Sequence, residues 1–182
     1  MQLTTAELAA LNTDARSPAN DAALGAFIAA FDDQAIADWY NTLASPDFWV
    51  WRTAVTKGEY VQTTSVDGTV FAWTGAGFIT RSAGEQAAWR ELFGSDASGQ
   101  QQVNPSLANV RQAFQDIFSG GTAPAPANRT HLATVSRRKA TRVEKMFATG
   151  TGSTASPATM ALGAEGMLTY LDVARALRGV GG

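Results

Sequence analysis

The chain has 182 residues, of which 45% are apolar and 16% charged, and its formal net charge is -2. A chain of this length can bury a core as one domain, and no apolar run reaches the ~20 residues that a membrane helix needs. Because there is no cysteine, disulfides, thiolate catalysis and cysteine-ligated metal sites are excluded. His131 is the only histidine. The opening segment lacks the features of a signal peptide, so we expect synthesis and initial use in a cytosol-like compartment.

Helix start signals recur along the sequence. A hydroxyl side chain three residues before a carboxylate forms a capping box, in which the two side chains bond each other's backbone amides. Four such pairs are Thr4 with Glu7, Thr56 with Glu59, Ser82 with Glu85 and, more weakly, Thr169 with Asp172. Asp32 or Asp33 is a further N-cap candidate. Apolar residues at helical spacing follow these signals, and the pattern predicts a mainly α-helical fold.

Prolines mark further expected starts. Ser17 with Pro18 predicts a second helix whose inner face includes Leu24, Phe27, Ile28 and Phe31. Pro46 is expected in a first helical turn. Asn104 with Pro105 predicts a helix whose apolar stripe begins at Leu107 and ends near Phe118.

The longest predicted helix begins at Asn128 and ends near Ala148, with Gly150 as its stop. Arg138, Arg142 and Lys145 would share one face of it, because they are four and three residues apart. Arg137 and Lys139 add to the same basic stretch. Three interpretations of this face stay open: contact with nucleic-acid phosphates, pairing with acidic residues of a neighbouring subunit, or plain solvated surface.

Two segments do not follow the helical pattern. Residues 65-81 form either a hairpin around Asp67 and Gly68 or an irregular loop that carries Phe71, Trp73 and Phe78 inward. Residues 151-168 follow a glycine-rich stretch that superficially suggests a phosphate loop. That interpretation fails because a helix precedes the stretch and no Gly-Lys-Ser/Thr closes it.

We therefore expect residues 151-168 to form an extended arm, or a small β-hairpin around Gly163 to Gly166. Its expected apolar anchors are Met160, Leu162, Met167 and Leu168. The arm should contact a neighbouring subunit or partner. Thr151, Met160 and Leu162 are accordingly interaction candidates, together with Arg137, Arg138, Lys139, Arg142 and Lys145.

No group of residues suggests catalysis. His131 has no second histidine or cysteine to work with, and Asp32 and Asp33 are explained as helix caps. We expect no catalytic, cofactor-binding or metal-binding residues. The expected organisation is a single helical-bundle domain over 1-182, with an acidic helical part (1-64), the ambiguous segment (65-81), a second helical part with the basic helix (82-150), the arm (151-168) and a C-terminal helix and tail (169-182).

Several blocks resemble a family of small proteins from the head and neck gene clusters of tailed bacteriophages. They are "ASPDFWVWRTAV", "AAWRELF", "VNPSLANVRQAFQDIFSG" and, most specifically, "RKATRVEKMFATGTG" followed by "ASPATM". The resemblance covers most of the chain in the same order. It implies a non-enzymatic virion protein, assembled in the host cytoplasm, with no cofactor and no membrane partner. The implied role is an oligomeric head-tail connector or adaptor ring in contact with portal and tail or neck proteins.

The charge pattern fits a ring loosely. Acidic residues predominate through Thr80 and basic residues from Arg81 onward, so two opposite faces could meet head to tail. Two alternatives remain. A capsid decoration or cement protein would be present in numbers that match the capsid lattice. A DNA-binding packaging accessory protein would contact DNA, for example in a channel, with an affinity that falls steeply with salt.

Overall fold

The computed structural model describes residues 1-61, 68, 71, 79-94, 101-160 and 165-179. As predicted, the fold is mainly α-helical. The described helices are α1 (Thr5–Ala15), α2 (Asp21–Ala29), α3 (Asp33–Asn41), α4 (Lys57–Tyr60), α5 (Ala83–Phe93), α6 (Ala108–Ile117), α7 (Ala125–Val135), α8 (Arg142–Phe147) and α9 (Tyr170–Arg178).

Short strands connect some of these helices. They are β1 (Trp49–Trp51), β2 (Val55–Thr56), β3 (Gln102–Val103), β4 (Arg137–Lys139), β5 (Ala148–Thr149) and β6 (Thr159–Met160). They pair two by two, β1 with β4, β2 with β3 and β5 with β6. The last two pairs are antiparallel.

Backbone contacts divide the chain into two compact units. Unit 1 combines residues from both ends of the sequence, Met1–Val50 and Lys139–Gly182, and unit 2 is the central segment Trp51–Arg138.

Unit 1 has a core in which α1, α2, α3, α8 and α9 meet. Its most buried side chains are Leu11, Leu24, Ile36, Tyr40, Val143, Leu168 and Val173. The end of α3 is fixed to the start of α9 by Asn41, whose Nδ2 donates to the Leu168 carbonyl at 2.9 Å and whose Oδ1 accepts from the Leu168 amide at 2.8 Å. At the opposite ends of these two helices, Arg178 forms an ion pair with Asp33. Helices α3 and α9 therefore lie antiparallel.

Unit 2 is built around aromatic rings. Its buried members include Tyr60, Phe71, Trp89, Phe93, Phe114 and Phe118. Tyr60 contacts Phe93 and Phe114 edge to face, with ring centroids 5.3 and 5.4 Å apart. The Tyr60 hydroxyl also lies 2.8 Å from Ser136 Oγ, which gives this core a satisfied polar pair.

The predicted capping boxes are confirmed. The hydroxyl oxygens of Thr4, Thr56, Ser82 and Thr169 each accept from the amide three residues on, and the amide of each of these residues donates to the carboxylate there. Asp32 caps α3 through a bond from the Ala35 amide. A fifth box, Thr141 with Glu144, starts α8 and was missing from the sequence prediction.

The prediction of one helix from Asn128 to Ala148 is wrong. Helix α7 ends at Val135, and the chain then runs as strand β4 before α8 begins at Arg142. Backbone partners from elsewhere replace the helical bonds: the Ser136 carbonyl accepts from the Arg52 amide at 2.8 Å, and the Ala140 amide donates to the Phe48 carbonyl at 2.8 Å. Arg138, Arg142 and Lys145 consequently share no helix face, and Gly150 ends no helix.

Three smaller helix predictions also need correction. The segment at Pro46 is irregular and leads into β1, so it is no helix start. Helix α2 begins at Asp21, three residues after Pro18. Asn104 does not cap a helix: its Oδ1 accepts from the Ser106 amide at 3.0 Å in a local turn, and α6 begins only at Ala108.

Three side chains expected on inner helix faces are exposed, Phe27, Phe31 and Leu107. Phe31 follows α2 at φ 56°, which turns it away from the inner face, and Leu107 lies before the first turn of α6. The hairpin considered for residues 65-81 falls mostly outside the described residues, as do Trp73 and Phe78. Phe71 is described, and it is buried as expected.

Candidate interaction surface

The basic stretch divides between the two units. Arg137 and Arg138 belong to unit 2, whereas Lys139, Arg142 and Lys145 belong to unit 1. Within unit 1, each of the three cations lies over an aromatic ring. We call Lys139, Arg142 and Lys145 with these rings the cation-aromatic surface.

Arg142 is held in place from two sides. Its Cζ lies 4.3 Å from the ring centroid of Trp39, and its Nε donates to Thr42 Oγ1 at 3.0 Å. The Arg142 amide also donates to the Thr42 carbonyl at 2.9 Å, which joins the first residue of α8 to the end of α3. The ring contact and the Nε bond together hold the guanidinium in place.

Lys145 lies one helical turn further on, with Nζ 5.8 Å from the ring centroid of Phe48. Lys139 lies 5.9 Å from the ring of Trp49 and forms an ion pair with Asp47 at 2.7 Å. At Lys139 an acid-base pair thus forms within the chain.

A groove of about 250 Å³ runs beside Arg142 and Lys145. Its remaining lining residues are Asp14, Asn20, Trp39, Tyr40, Ala44, Ser45 and Met146. Asp14 Oδ2 accepts from the Tyr40 hydroxyl at 2.6 Å and from Asn20 Nδ2 at 3.0 Å. Burial, together with the Asp14 carboxylate, raises the pKa of Tyr40 above its ordinary value, so this phenol stays a donor.

Glu144 was not identified from the sequence as a structural residue. Its side chain is buried, and its two oxygens accept from backbone amides, Thr141 at 3.0 Å and Gly166 at 3.2 Å. The Thr-x-x-Glu spacing is typical of a capping box. It was not interpreted as one because Thr141 was predicted to lie inside a continuous helix, where no helix start is expected. Glu144 fixes the start of α8 and the chain near Gly166 to each other.

The glycine-rich stretch packs against its own unit. Gly150 approaches Ala158, and Gly152, at φ 65°, approaches the ring of Phe48. The Trp49 amide donates to the Gly152 carbonyl at 2.7 Å, and the Ala158 amide donates to the Trp49 carbonyl at 2.8 Å. These bonds explain the glycines without a phosphate ligand.

The arm therefore does not extend outward over its described part. After β5 the chain turns back, and β6 pairs antiparallel with β5, with Ala148 opposite Met160. The small hairpin therefore lies at 148-160. Met160 is buried against Val50, Ala140 and Ala158. Thr151 is exposed, but its hydroxyl donates to the Ser156 carbonyl at 3.0 Å. Leu162 lies outside the described residues, as does part of the turn expected around Gly163 to Gly166.

Leu168 is a buried anchor, as expected, but Met167 points outward. His131 is fully buried in unit 2, with Nε2 3.0 Å from the Tyr60 carbonyl and its ring 5.3 Å from that of Phe71. A structural role accounts for this placement. Within residues 1-61, 68, 71, 79-94, 101-160 and 165-179, no group of three or more acidic, histidine or cysteine side chains is arranged to hold a metal ion.

No helix in the described part of the chain combines the length and the apolar character needed to span a bilayer. No protein-family model, curated protein or solved structure matches this chain.

Proposed function

We propose that this chain is a non-enzymatic structural protein of a tailed-phage virion that forms an oligomeric head-tail connector or adaptor ring between portal and tail. The resemblance of its "RKATRVEKMFATGTG" and "ASPATM" blocks to head and neck proteins supports the phage assignment. The mainly α-helical fold is compatible with it. A capsid decoration protein and a DNA-binding packaging protein are the alternatives.

The observation that carries the assembly proposal is a group of exposed apolar side chains at the start of α9. Met167, Tyr170 and Leu171 are 68%, 51% and 53% exposed. Leu43 is also exposed and follows α3, whose end is bonded to Leu168 through Asn41. Large apolar side chains grouped on a surface mark contacts with other proteins.

Net charge also differs between the units. Unit 1 carries ten acidic and six basic residues, whereas unit 2 carries six acidic and eight basic residues. A ring needs heterologous contacts, in which one surface of a subunit meets a different surface of the next. An acidic unit of one copy against a basic unit of the next satisfies this requirement and would weaken with salt.

Native mass spectrometry of the purified full chain tests the proposal. We expect a closed oligomer that Leu171→Glu, which adds a charge to the apolar group, converts to smaller species. Phe27→Glu is the control because Phe27 is also an exposed apolar residue of unit 1 but lies in α2, outside this group. A chain that stays monomeric at all concentrations, or an oligomer indifferent to Leu171→Glu, would count against self-assembly through this surface.

A further inference from the structure

The groove beside α8 contains two cations, Arg142 and Lys145, that form no ion pair with the residues that the structure describes. In the described part of the chain, no carboxylate lies within 4.0 Å of the charged nitrogens of Arg142 or Lys145, although ion pairs of this kind form at Lys139 and Arg178. Both side chains rest on aromatic rings, and Arg142 is further bonded to Thr42. Side chains already held in one geometry lose little freedom when they bind an anion.

The acidic residue of the groove does not serve these cations. Asp14 accepts hydrogen bonds from Tyr40 and Asn20 at 2.6 and 3.0 Å, so both of these bonds come from uncharged donors. The groove thus has a cationic side formed by α8 and an aromatic wall formed by Trp39 and Tyr40. Its volume of about 250 Å³ leaves room for one acidic side chain.

The chemistry favours a carboxylate over a nucleic acid. A guanidinium presents parallel donors that match the two oxygens of a carboxylate. Unit 1 carries more acidic than basic residues, and Asp14 lines the groove itself, so a strand of phosphates would be repelled along its length. A single negative charge on a short side chain avoids most of that repulsion.

We propose that this groove binds a single aspartate or glutamate side chain of a partner protein. Arg142 donates to the carboxylate from its guanidinium, Lys145 adds a second positive charge, and Trp39 contacts the methylene groups of the ligand. This binding activity is independent of the virion proposal, because it requires only the groove of unit 1 and would hold for a protein with another biological setting.

Fluorescence anisotropy of a fluorescein-labelled peptide that carries one glutamate among neutral residues, titrated with the full-length protein, tests the proposal. We expect saturable binding that Arg142→Gln and Lys145→Gln each weaken about tenfold or more, since each removes one charge-assisted bond. Arg142→Lys should fall in between because it keeps the charge but loses the fork. Arg90→Gln removes the same charge from an exposed position in unit 2 and should leave binding unchanged.

Circular dichroism melts of the four variants identify any that fail to fold, and Arg142→Lys then serves as the informative variant. A labelled oligothymidylate of similar length is the competing probe. Failure of the single-glutamate peptide to bind saturably, or equal binding by wild type and both glutamine variants, would overturn the proposal. Tighter binding of the oligothymidylate through Arg142 and Lys145 would also overturn it and would identify a nucleic-acid surface instead.

Discussion

The ring of Phe48 occupies the space in which residue 152 would carry a side chain. A Cβ built on Gly152 would lie 2.1 Å from Cε2 of that ring, and the backbone there has φ 65°. Both the conformation and the available space therefore require glycine. The neighbouring bonds from Trp49 to Gly152 and from Ala158 to Trp49 make this contact part of the interior of unit 1.

Gly152→Ala should lower the free energy of unfolding by about 3 kcal/mol or more, because a left-handed alanine costs about 1 to 2 kcal/mol and overpacking about 1 to 3 kcal/mol. Chemical denaturation with the full chain measures the change. Gly166→Ala is the control for backbone strain alone, since Gly166 also has positive φ but nothing within 4 Å of its Cβ position. Equal losses for the two variants would show that Phe48 does not fill the space.

Glu144→Gln should destabilise the fold by about 1 to 3 kcal/mol. The buried carboxylate accepts from the amides of Thr141 and Gly166, and a glutamine would place an N-H group against one of these donors. Glu7→Gln is the matched variant in an exposed capping box and should cost less than about 1 kcal/mol, since glutamine also serves there. Thermal unfolding followed by circular dichroism compares the two. A smaller loss of stability for Glu144→Gln than for Glu7→Gln would contradict the role of Glu144 in joining Thr141 to Gly166.

Asn41→Ala should cost about 2 kcal/mol, because one amide side chain satisfies both backbone groups of Leu168. Gln34→Ala in the same helix removes an exposed amide with a single bond to Asp38 and should be nearly neutral. Urea denaturation gives both values. Similar stability of the two variants would show that the connection between α3 and α9 does not depend on Asn41.

The carboxylate of Glu85 should make stability depend on pH. Burial raises its pKa, but bonds from the Ser82 amide and from the Ser119 and Ser82 hydroxyls, with the nearby charge of Arg81, lower it to about 2 overall. Because this folded-state pKa is below the ordinary value of 4.5, the unfolded chain binds the proton more readily. The stabilisation that the ionised Glu85 carboxylate gives to the fold is present above pH 4.5 and is lost as the pH falls towards 2.

Wild type should therefore lose more stability than Glu85→Gln, by about 2 kcal/mol, when the pH is lowered from 7 to 3. The variant keeps a side chain that can complete the capping box, so the comparison isolates the charge. Guanidinium denaturation at the two pH values measures it. Parallel losses in both proteins would show that Glu85 titrates normally.

Much of the helical framework could be predicted from the sequence because capping is local. Thr4 and Ser82 each lie three residues from their partner, so the pattern is visible in a short window. The break between α7 and α8 could not be predicted in this way. It depends on backbone bonds from Arg52 to Ser136 and from Ala140 to Phe48, whose members are more than 80 residues apart.

The same distinction applies to the candidate site. The sequence shows the basic stretch that contains its cations. It does not show the groove, because Trp39 lies in a helix, and Thr42 directly after that helix, about 100 residues earlier in the chain. Two-residue strands such as β5 and β6 carry no periodic pattern, which is why the small hairpin was expected at a later position.

Imaging of the phage particle that contains this protein, with the chain located by a specific label, tests the central claim most directly. A head-tail connector should give density for a single ring of copies at one vertex, between portal and tail. Label spread over the shell in numbers that match the capsid lattice would contradict it and favour a decoration protein. Absence of the label from purified particles would contradict the assignment as a virion protein altogether.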